Sequence, residues 1–377
     1  MTIIGIAIGI AAIVSLVSLG QGLENAVNEQ FEKMGTDKII IQSGGFGPPG
    51  TGLTRLINDD LEAIEKINRV EAAAGMLMEN LKVGYNDKTS ILMVHGIPID
   101  SSRRLIEEME TLELENGREL SSENQVLVGY NLANKDSIFG RKVKLRDKIT
   151  IENEEFQVVG IIKKKGNPID DITLYAPIKD IHNLINDNEK LGIIIVKTRT
   201  DPSLVVDDVE RVLRRKRNVK EGQEDFQVQT FEEIRGSFSN ILSIVQYFII
   251  GIAAISLVVG GIGIMNTMYM SVLERTKDIG IMKAVGARDN DVIKIFLLES
   301  GLLGLAGGLV GLGFGVLIAK GTEWILIKNG IILFKVMIQP TLIVGVLIFS
   351  FLIGSLSGTL PALRAAKLKP VEALRYE

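Results

Sequence analysis

The sequence has no cysteine, 2 histidines and 1 tryptophan in 377 residues. Without cysteine there is neither a disulfide framework nor a thiolate metal site, and the redox character of the compartment stays open. His95 and His182 stand far apart, so no local histidine metal motif exists. Patterns of the HExxH, GxSxG and GxxxxGK[ST] kind are missing as well, which removes the common signatures of zinc proteases, serine hydrolases and P-loop nucleotide binding. The acids Glu107, Glu108, Glu110, Glu113 and Glu115 sit among Leu and Met and are expected on a solvated helix face. No catalytic residue is assigned, and the chain is expected not to be an enzyme.

Charge is also missing, in blocks. Met1–Leu23, Gly236–Leu273, Ser300–Ala319 and Val336–Leu363 contain no Asp, Glu, Lys or Arg. Each is long enough for a helix to cross a bilayer core, which takes about 20 apolar residues. No membrane-centred charge remains to serve a proton relay or a simple ion channel. Glu299 lies at the edge of the third run, where it needs water or a cation such as Lys294. Nothing basic precedes the first run, so it is expected as a retained helix and not a cleaved leader. The same absence suggests a start that lacks a cytoplasmic lead-in.

What is present between Glu24 and Arg235 is ordinary soluble-type sequence. It carries 30 basic against 38 acidic residues, while the rest of the chain carries 12 against 8. An acidic insert has no electrostatic reason to bind nucleic acid. The expected fold is therefore an α-helical membrane protein with four transmembrane helices and a large α+β extracytoplasmic domain inserted between helices 1 and 2. Expected bounds are transmembrane helix 1 over 1–22, a helical stalk over 23–37, the outer domain over 38–229 and a returning stalk over 230–243. Helix 2 follows over 244–270, a cytoplasmic segment with the entry to helix 3 over 271–298, and helix 3 over 299–319. A short outer loop over 320–339, helix 4 over 340–360 and a cytoplasmic tail over 361–377 complete the chain.

Orientation follows from the short loops. Arg275, Lys277, Lys283, Arg288, Lys294, Arg364, Lys367, Lys369 and Arg375 flank one side, against Lys320, Lys328 and Lys335 on the other. Positive charge in short loops marks the cytoplasm, so both termini are expected there and the insert outside. The stalks are inferred from apolar residues three and four apart, Leu23, Val27, Phe31 and Met34 outbound and Phe231, Ile234, Phe238 and Ile241 on the return.

Inside the insert, helical spacing covers 59–67, 100–109, 179–185 and 203–213. Strand-like runs cover 38–43, 81–85, 91–94, 125–128, 148–151, 156–162, 172–175, 193–197 and 226–229, with Asn86-Asp87 and Asn153-Glu154 as hairpin turns. This mixture predicts two small α+β lobes. The run Gly44–Gly52 contains two prolines and no following Lys-Ser or Lys-Thr, so it reads as a loop. Arg211, Arg214, Arg215, Lys216, Arg217 and Lys220 form a basic run that suits either a solvated helix end or a lipid or protein contact.

Small residues mark helix packing. Gly5 and Gly9 are one spaced pair; Gly304, Gly307, Gly308, Gly311 and Gly315 supply more in helix 3. Between the second and third runs stands Glu274-Arg275-Thr276-Lys277-Asp278-Ile279-Gly280-Ile281-Met282-Lys283-Ala284-Val285-Gly286-Ala287. Ile279, Met282 and Val285 recur every three residues and form a stripe suited to a partner's groove, flanked by Lys277, Asp278 and Lys283. Gly280 and Gly286 permit close approach and a helix end.

That segment, with LPALRAAKLKPVEALRYE (360–377), resembles the permease subunits of the MacB and FtsX-like superfamily of ABC transporters. GRELSSENQVLVGYNLANK (117–135) and FQVVGI (156–161) resemble the periplasmic core domain of the MacB branch. The resemblance implies a cell-membrane permease, as a homodimer or pseudo-dimer, working with a cytoplasmic ABC ATPase subunit that touches 274–287. ATP and Mg would then bind that partner, with no cofactor in this chain. It also implies mechanotransmission to the outer domain, with export of a drug, peptide or lipoprotein-type cargo. Membrane lipid and an extracytoplasmic partner are the other contacts implied. The alternative is a non-transporting membrane regulator that transmits ATPase motion to an extracytoplasmic cell-wall enzyme or sensor.

Overall fold

The computed structural model describes residues 2–44, 55–110, 112–134, 138–331 and 334–374, so the loop Gly44–Gly52 lies outside the described residues beyond Gly44. Two compact units emerge. One, the outer unit, comprises Val27–Phe238 and Asn329–Leu333; the other, the membrane unit, comprises Met1–Ala26, Ser239–Lys328 and Phe334–Glu377.

The chain opens with α1 (Thr2–Met34), then enters β1 (Lys38–Ser43), β2 (Leu56–Ile57), α2 (Asn58–Glu65), β3 (Val70–Tyr85) and β4 (Lys88–Ile97). Next come α3 (Arg103–Glu110), β5 (Leu114–Gly117), β6 (Gln125–Val128), α4 (Tyr130–Asn134), β7 (Lys148–Ile151) and β8 (Glu154–Ile162). The outer unit closes with β9 (Leu174–Pro177), α5 (Ile178–Ile185), β10 (Lys190–Leu191), β11 (Ile193–Thr198), α6 (Ser203–Arg217) and β12 (Phe226–Thr230).

Two separate lobes are not what forms. A single sheet runs β12-β1-β11-β3-β4-β9-β6-β8-β5, with β7 pairing β3 and β8. The reason is β3, whose first half pairs with β11 and whose second half pairs with β4 and β7. Only 81–85 of it was expected as strand, because Glu71-Ala72-Ala73-Ala74-Gly75 is poor in the branched residues that mark strands. Here small residues are required: a Cβ on Gly75 would lie 2.8 Å from the Leu191 side chain. Along the sheet the side chains alternate. Ile39, Ile41, Ile194 and Val196 pack under α2 and α6, while Met76, Ile193 and Ile195 pack under α3. Asn86 and Asp87 both take left-handed φ, 52° and 59°, as a two-residue turn of the type that suits strand twist demands. The second hairpin turns one residue earlier than expected, at Glu152-Asn153, with φ of 47° and 77°.

Beyond β12 the chain forms α7 (Phe231–Glu274), α8 (Thr276–Ala284), α9 (Asp289–Lys328), α10 (Pro340–Ala366) and α11 (Pro370–Leu374). α1, α7, α9 and α10 are each long and apolar enough to cross a membrane. α9 starts well before residue 299 and continues past 319, through the first part of the expected loop. Asp289 and Asp291 complement its N-terminus. Near its other end Lys320 Nζ meets Glu323 Oε2 at 2.6 Å, and Glu323 Oε1 accepts the Val336 N–H at 3.2 Å.

Without water in a bilayer core, helix association depends on close packing, and small residues permit it. Gly5 stands against Gly260 of α7, where an added Cβ would come within 2.9 Å of its Cα; at Gly9 the nearest atom would be Leu257 Cγ at 3.2 Å. Gly304 faces Gly354 and Ser350 of α10, and Gly308 faces Ser350. Gly311 faces Ala7 and Ile10, Gly315 faces Val14, and Gly307 is buried. Thus α9 packs on α10 with one set of glycines and on α1 with another. Ile6, Ile10, Val14, Leu257, Ile264 and Phe296 fill the spaces between. Ile244, Phe248, Ile255 and Val259 of α7 are exposed and apolar, as a lipid surround requires.

Gly304→Leu should therefore lower the thermal unfolding midpoint of the purified protein, with a cost of about 1–3 kcal/mol from overpacking. Gly313→Leu, where nothing lies within 4 Å of an added Cβ, should leave it unchanged. Equal effects at both positions in a melting assay would refute the packing described.

Candidate coupling surface

α7 gives way to α8 at Arg275, whose φ of −103° and ψ of 16° leave the helical range. Thr276 steadies the junction: its hydroxyl donates to the Val272 and Leu273 carbonyls, both at 2.9 Å. α8 closes in a Schellman turn, with Gly286 N–H donating to the Lys283 carbonyl at 3.1 Å and Ala287 N–H to the Met282 carbonyl at 3.0 Å. Gly286 adopts a φ of +113°, which any side chain would strain. Arg288 N–H then donates to Asp291 Oδ2 at 3.1 Å, capping α9. Between two membrane-spanning helices, α8 is thus fixed by local hydrogen bonds at both ends.

Its two faces are not those the spacing suggested. Ile279 is fully buried and Met282 half-buried, and they pack with Val272, Val292, Phe296 and Ala365 in the core of the membrane unit. Of the three residues spaced three apart, Ile279 and Met282 turn inward, whereas Val285 is exposed. Lys283 also turns inward. Its ammonium donates to the Ala366 and Leu368 carbonyls and pairs with Asp289 Oδ1 at 2.8 Å, its side chain 12% exposed. A cation there caps the carbonyl end of α10, where the helix dipole is negative. Lys283 is an internal anchor in this structure, not a flank of a docking stripe, and Gly280 is buried beside it.

The outward face comprises Lys277, Asp278, Ile281, Ala284 and Val285, with Glu274 and Arg275 at its entry. Ile281 is 48% and Val285 85% exposed. α11 packs beside α8 and adds Val371, also exposed. No periodicity in the sequence announced this last helix, which is only five residues long. Glu299 pairs with Arg275 at 3.4 Å and not with Lys294, because the end of α7 brings the guanidinium across to α9.

The outer unit holds a second polar grouping. His95 on β4 and Tyr175 on β9 are paired residues on neighbouring strands, their rings edge to face at 5.0 Å. Glu110, at the end of α3, places Oε2 2.9 Å from the Tyr175 hydroxyl and 3.0 Å from Lys165 Nζ, and Oε1 3.8 Å from His95 Nδ1. Glu110 is therefore not on a solvated face, although Glu108 and Glu113 are exposed. Burial opposes its ionisation, but His95, Lys165 and the Tyr175 hydroxyl together hold its carboxyl below the usual carboxylate range. Burial pushes the His95 imidazole down, against the pull of Glu110. Among the described residues neither His95 nitrogen has a hydrogen-bond partner. The basic run on α6 is mostly neutralised in place, with Arg214 on Glu210 and Glu224, Lys216 on Asp59, and Arg217 on Asp60 and Asp225. Among the described residues no group of three His, Asp or Glu side chains is arranged to hold a metal.

Four apolar helices, an inserted α+β domain and a short clamped helix between the second and third spans define a multi-spanning membrane protein of the permease class. Residues 1–212 match the MacB-like periplasmic core domain family, and residues 250–370 match the FtsX-like permease C-terminal family. An ABC transporter permease of Methanocaldococcus jannaschii is 39% identical over 383 residues, covering 100% of this chain and 94% of the relative. The chain belongs to the MacB/FtsX-type family of ABC transporter permeases. The macrolide export ATP-binding/permease protein MacB of Neisseria gonorrhoeae is 32% identical over all of this chain, which spans 58% of that relative's length. The solved periplasmic region of MacB from Actinobacillus actinomycetemcomitans is 20% identical, covers 57% of this chain and 98% of its own, and gives a TM-score of 0.46.

The buried grouping makes the outer unit sensitive to acid in a stated direction. Unfolded His95 takes a proton below about pH 6.5, whereas the folded residue resists it. Its contribution to stability is complete above that pH and declines below. Glu110, depressed from its usual 4.5, adds a second decline at lower pH. Hydrogen exchange of β4 amides should accelerate from pH 6.5 to 5 beyond the intrinsic pH effect, and His95→Phe should remove that extra acceleration. An unchanged slope in the variant would contradict the assignment.

Proposed function

We propose that this chain is the permease subunit of a cell-membrane ABC transporter. Its outward α8 face receives a separate cytoplasmic ATPase, and its outer domain moves with that motor's cycle. The observation that carries the reading is the pairing of an outward apolar stripe, Ile281 and Val285, with an inward anchor, Ile279 and Lys283. A surface helix so tied cannot swing by itself; force on its outer face loads α7, α9 and α10. Nine basic residues at the ends of these helices against three in the opposite loop support a cytoplasmic α8 and an extracytoplasmic insert.

ATP and Mg belong in this reading to the partner ATPase. The MacB relatives carry "ATP-binding" and "permease" in one name, which supports an ATPase working with a permease of this family. Two permease copies, identical or related, would serve two ATPases. Export of a drug, peptide or lipoprotein-type cargo is the activity proposed for the assembly.

Ile281→Arg should abolish copurification with the ATPase subunit while leaving the unfolding midpoint of the permease unchanged, as exposed substitutions do. Lys283→Met should instead lower the midpoint, by on the order of 2 kcal/mol for the lost charge-assisted hydrogen bonds. Retention of the ATPase and of its permease-dependent stimulation by Ile281→Arg would reject the docking role.

A further inference from the structure

The outer unit contains a cleft of about 530 Å³ that the proposed transport cycle does not use. Its volume lies within the range typical of small-molecule sites. Met76 and Met78, two apart on β3, share its floor with Ile193; Phe31 of α1 and Phe231 of α7 form part of its walls. Phe31 and Phe231 meet edge to face at 5.8 Å. Met34 and Met109 also line it, and thioether side chains adapt to irregular ligand shapes. The polar groups are few. Gln30, Gln42 and Gln229 contribute neutral amides, and among the described residues Glu110 is the one ionisable side chain on the lining.

Glu110 gives the cleft its chemical preference. Its Oε2 is taken by Lys165 and Tyr175, whereas Oε1 has His95 Nδ1 at 3.8 Å, beyond hydrogen-bond reach. Among the described residues, this carboxylate oxygen therefore keeps its acceptor capacity. Lys165 does not line the cleft, so a ligand meets the carboxylate and not the ammonium. An anionic head would be repelled by the carboxylate, and a neutral hydroxyl would hydrogen-bond it without bringing an opposite charge. A protonated amine gains the hydrogen bond and the coulombic attraction of an ion pair. We propose that this cleft binds a small amphiphile bearing one protonated amine, its apolar body against the methionines and phenylalanines and its ammonium on Glu110. The inference stands on the outer unit alone and is independent of where the ATPase docks. A bound ligand would touch Phe31 and Phe231, two of the residues through which α1 and α7 meet in this unit.

The test uses the full chain in lipid nanodiscs, with empty nanodiscs subtracted, and fluorine NMR of three probes of one shape: 4-(4-fluorophenyl)butylamine, the corresponding butanol and the corresponding butanoate. The amine should bind saturably and about tenfold more tightly than the alcohol, and the butanoate more weakly than both. Glu110→Gln should bring amine and alcohol to similar affinity. Gln30→Lys, on the half-exposed side of α1 and outside the buried grouping, should weaken the amine and favour the butanoate. Equal affinities for the three probes, an amine signal identical to that of empty nanodiscs, or an affinity order unchanged in both variants would overturn the proposal.

Discussion

α7 runs as one helix from Phe231 to Glu274, with β12 joined to its first residue and α8 following its last. At 1.5 Å per residue it is about 66 Å long, roughly twice the 30 Å of a bilayer core. Its first turn is closed by a capping box. Thr230 Oγ1 accepts the Glu233 N–H at 3.1 Å, and Glu233 Oε2 accepts the Thr230 N–H at 2.8 Å. The last residue of β12 is therefore also the cap of the helix, so the sheet's edge strand passes into α7 without a linker. At the far end Thr276 ties α8 to the final turn. Strand, long helix and surface helix are thus successive parts of one hydrogen-bonded path.

Around that path the membrane unit is built for close contact. Glycines let backbones approach where α1 meets α7 and α9, and where α9 meets α10. A bundle packed at backbone distance shifts as discrete pieces, since small gaps forfeit much of the dispersion energy. Lys283 adds a polar clamp by holding α8 to the carbonyl end of α10. These features suit a unit that receives force at α8 and passes it on through whole helices, which is the behaviour proposed for this permease. The outer unit has a different solution to cohesion, a sheet held together by the shared strand β3 and buried between helices on both faces.

Much of this was legible in the sequence, for reasons that differ by region. The membrane helices announce themselves because a bilayer tolerates so few charges; gaps between charged residues mark them directly. Strands β1, β6 and β7 were read at their observed bounds because branched residues cluster there and turn residues flank them. β3 escaped because its first half is alanine and glycine, selected by close neighbours and not by strand propensity. For α8, spacing identified an apolar face but carried no sign, and only the packed structure shows that Ile279 turns in while Ile281 turns out. Glu110 was misjudged for another reason. Its partners His95, Lys165 and Tyr175 are distant in sequence and meet it only through the sheet. The family membership, in turn, rests on resemblance over the whole chain, which no single periodicity supplies.

In the proposed mechanism, force applied to α8 reaches the outer unit along α1 and α7. Amide hydrogen exchange on the assembled permease and ATPase, with and without ATP under conditions that block hydrolysis, tests it most directly. ATP should change exchange both in Thr276–Ala284 and in the outer-unit segments Val27–Met34 and Phe231–Phe238. Changes confined to α8 and α11, with those two segments unaltered, would contradict it.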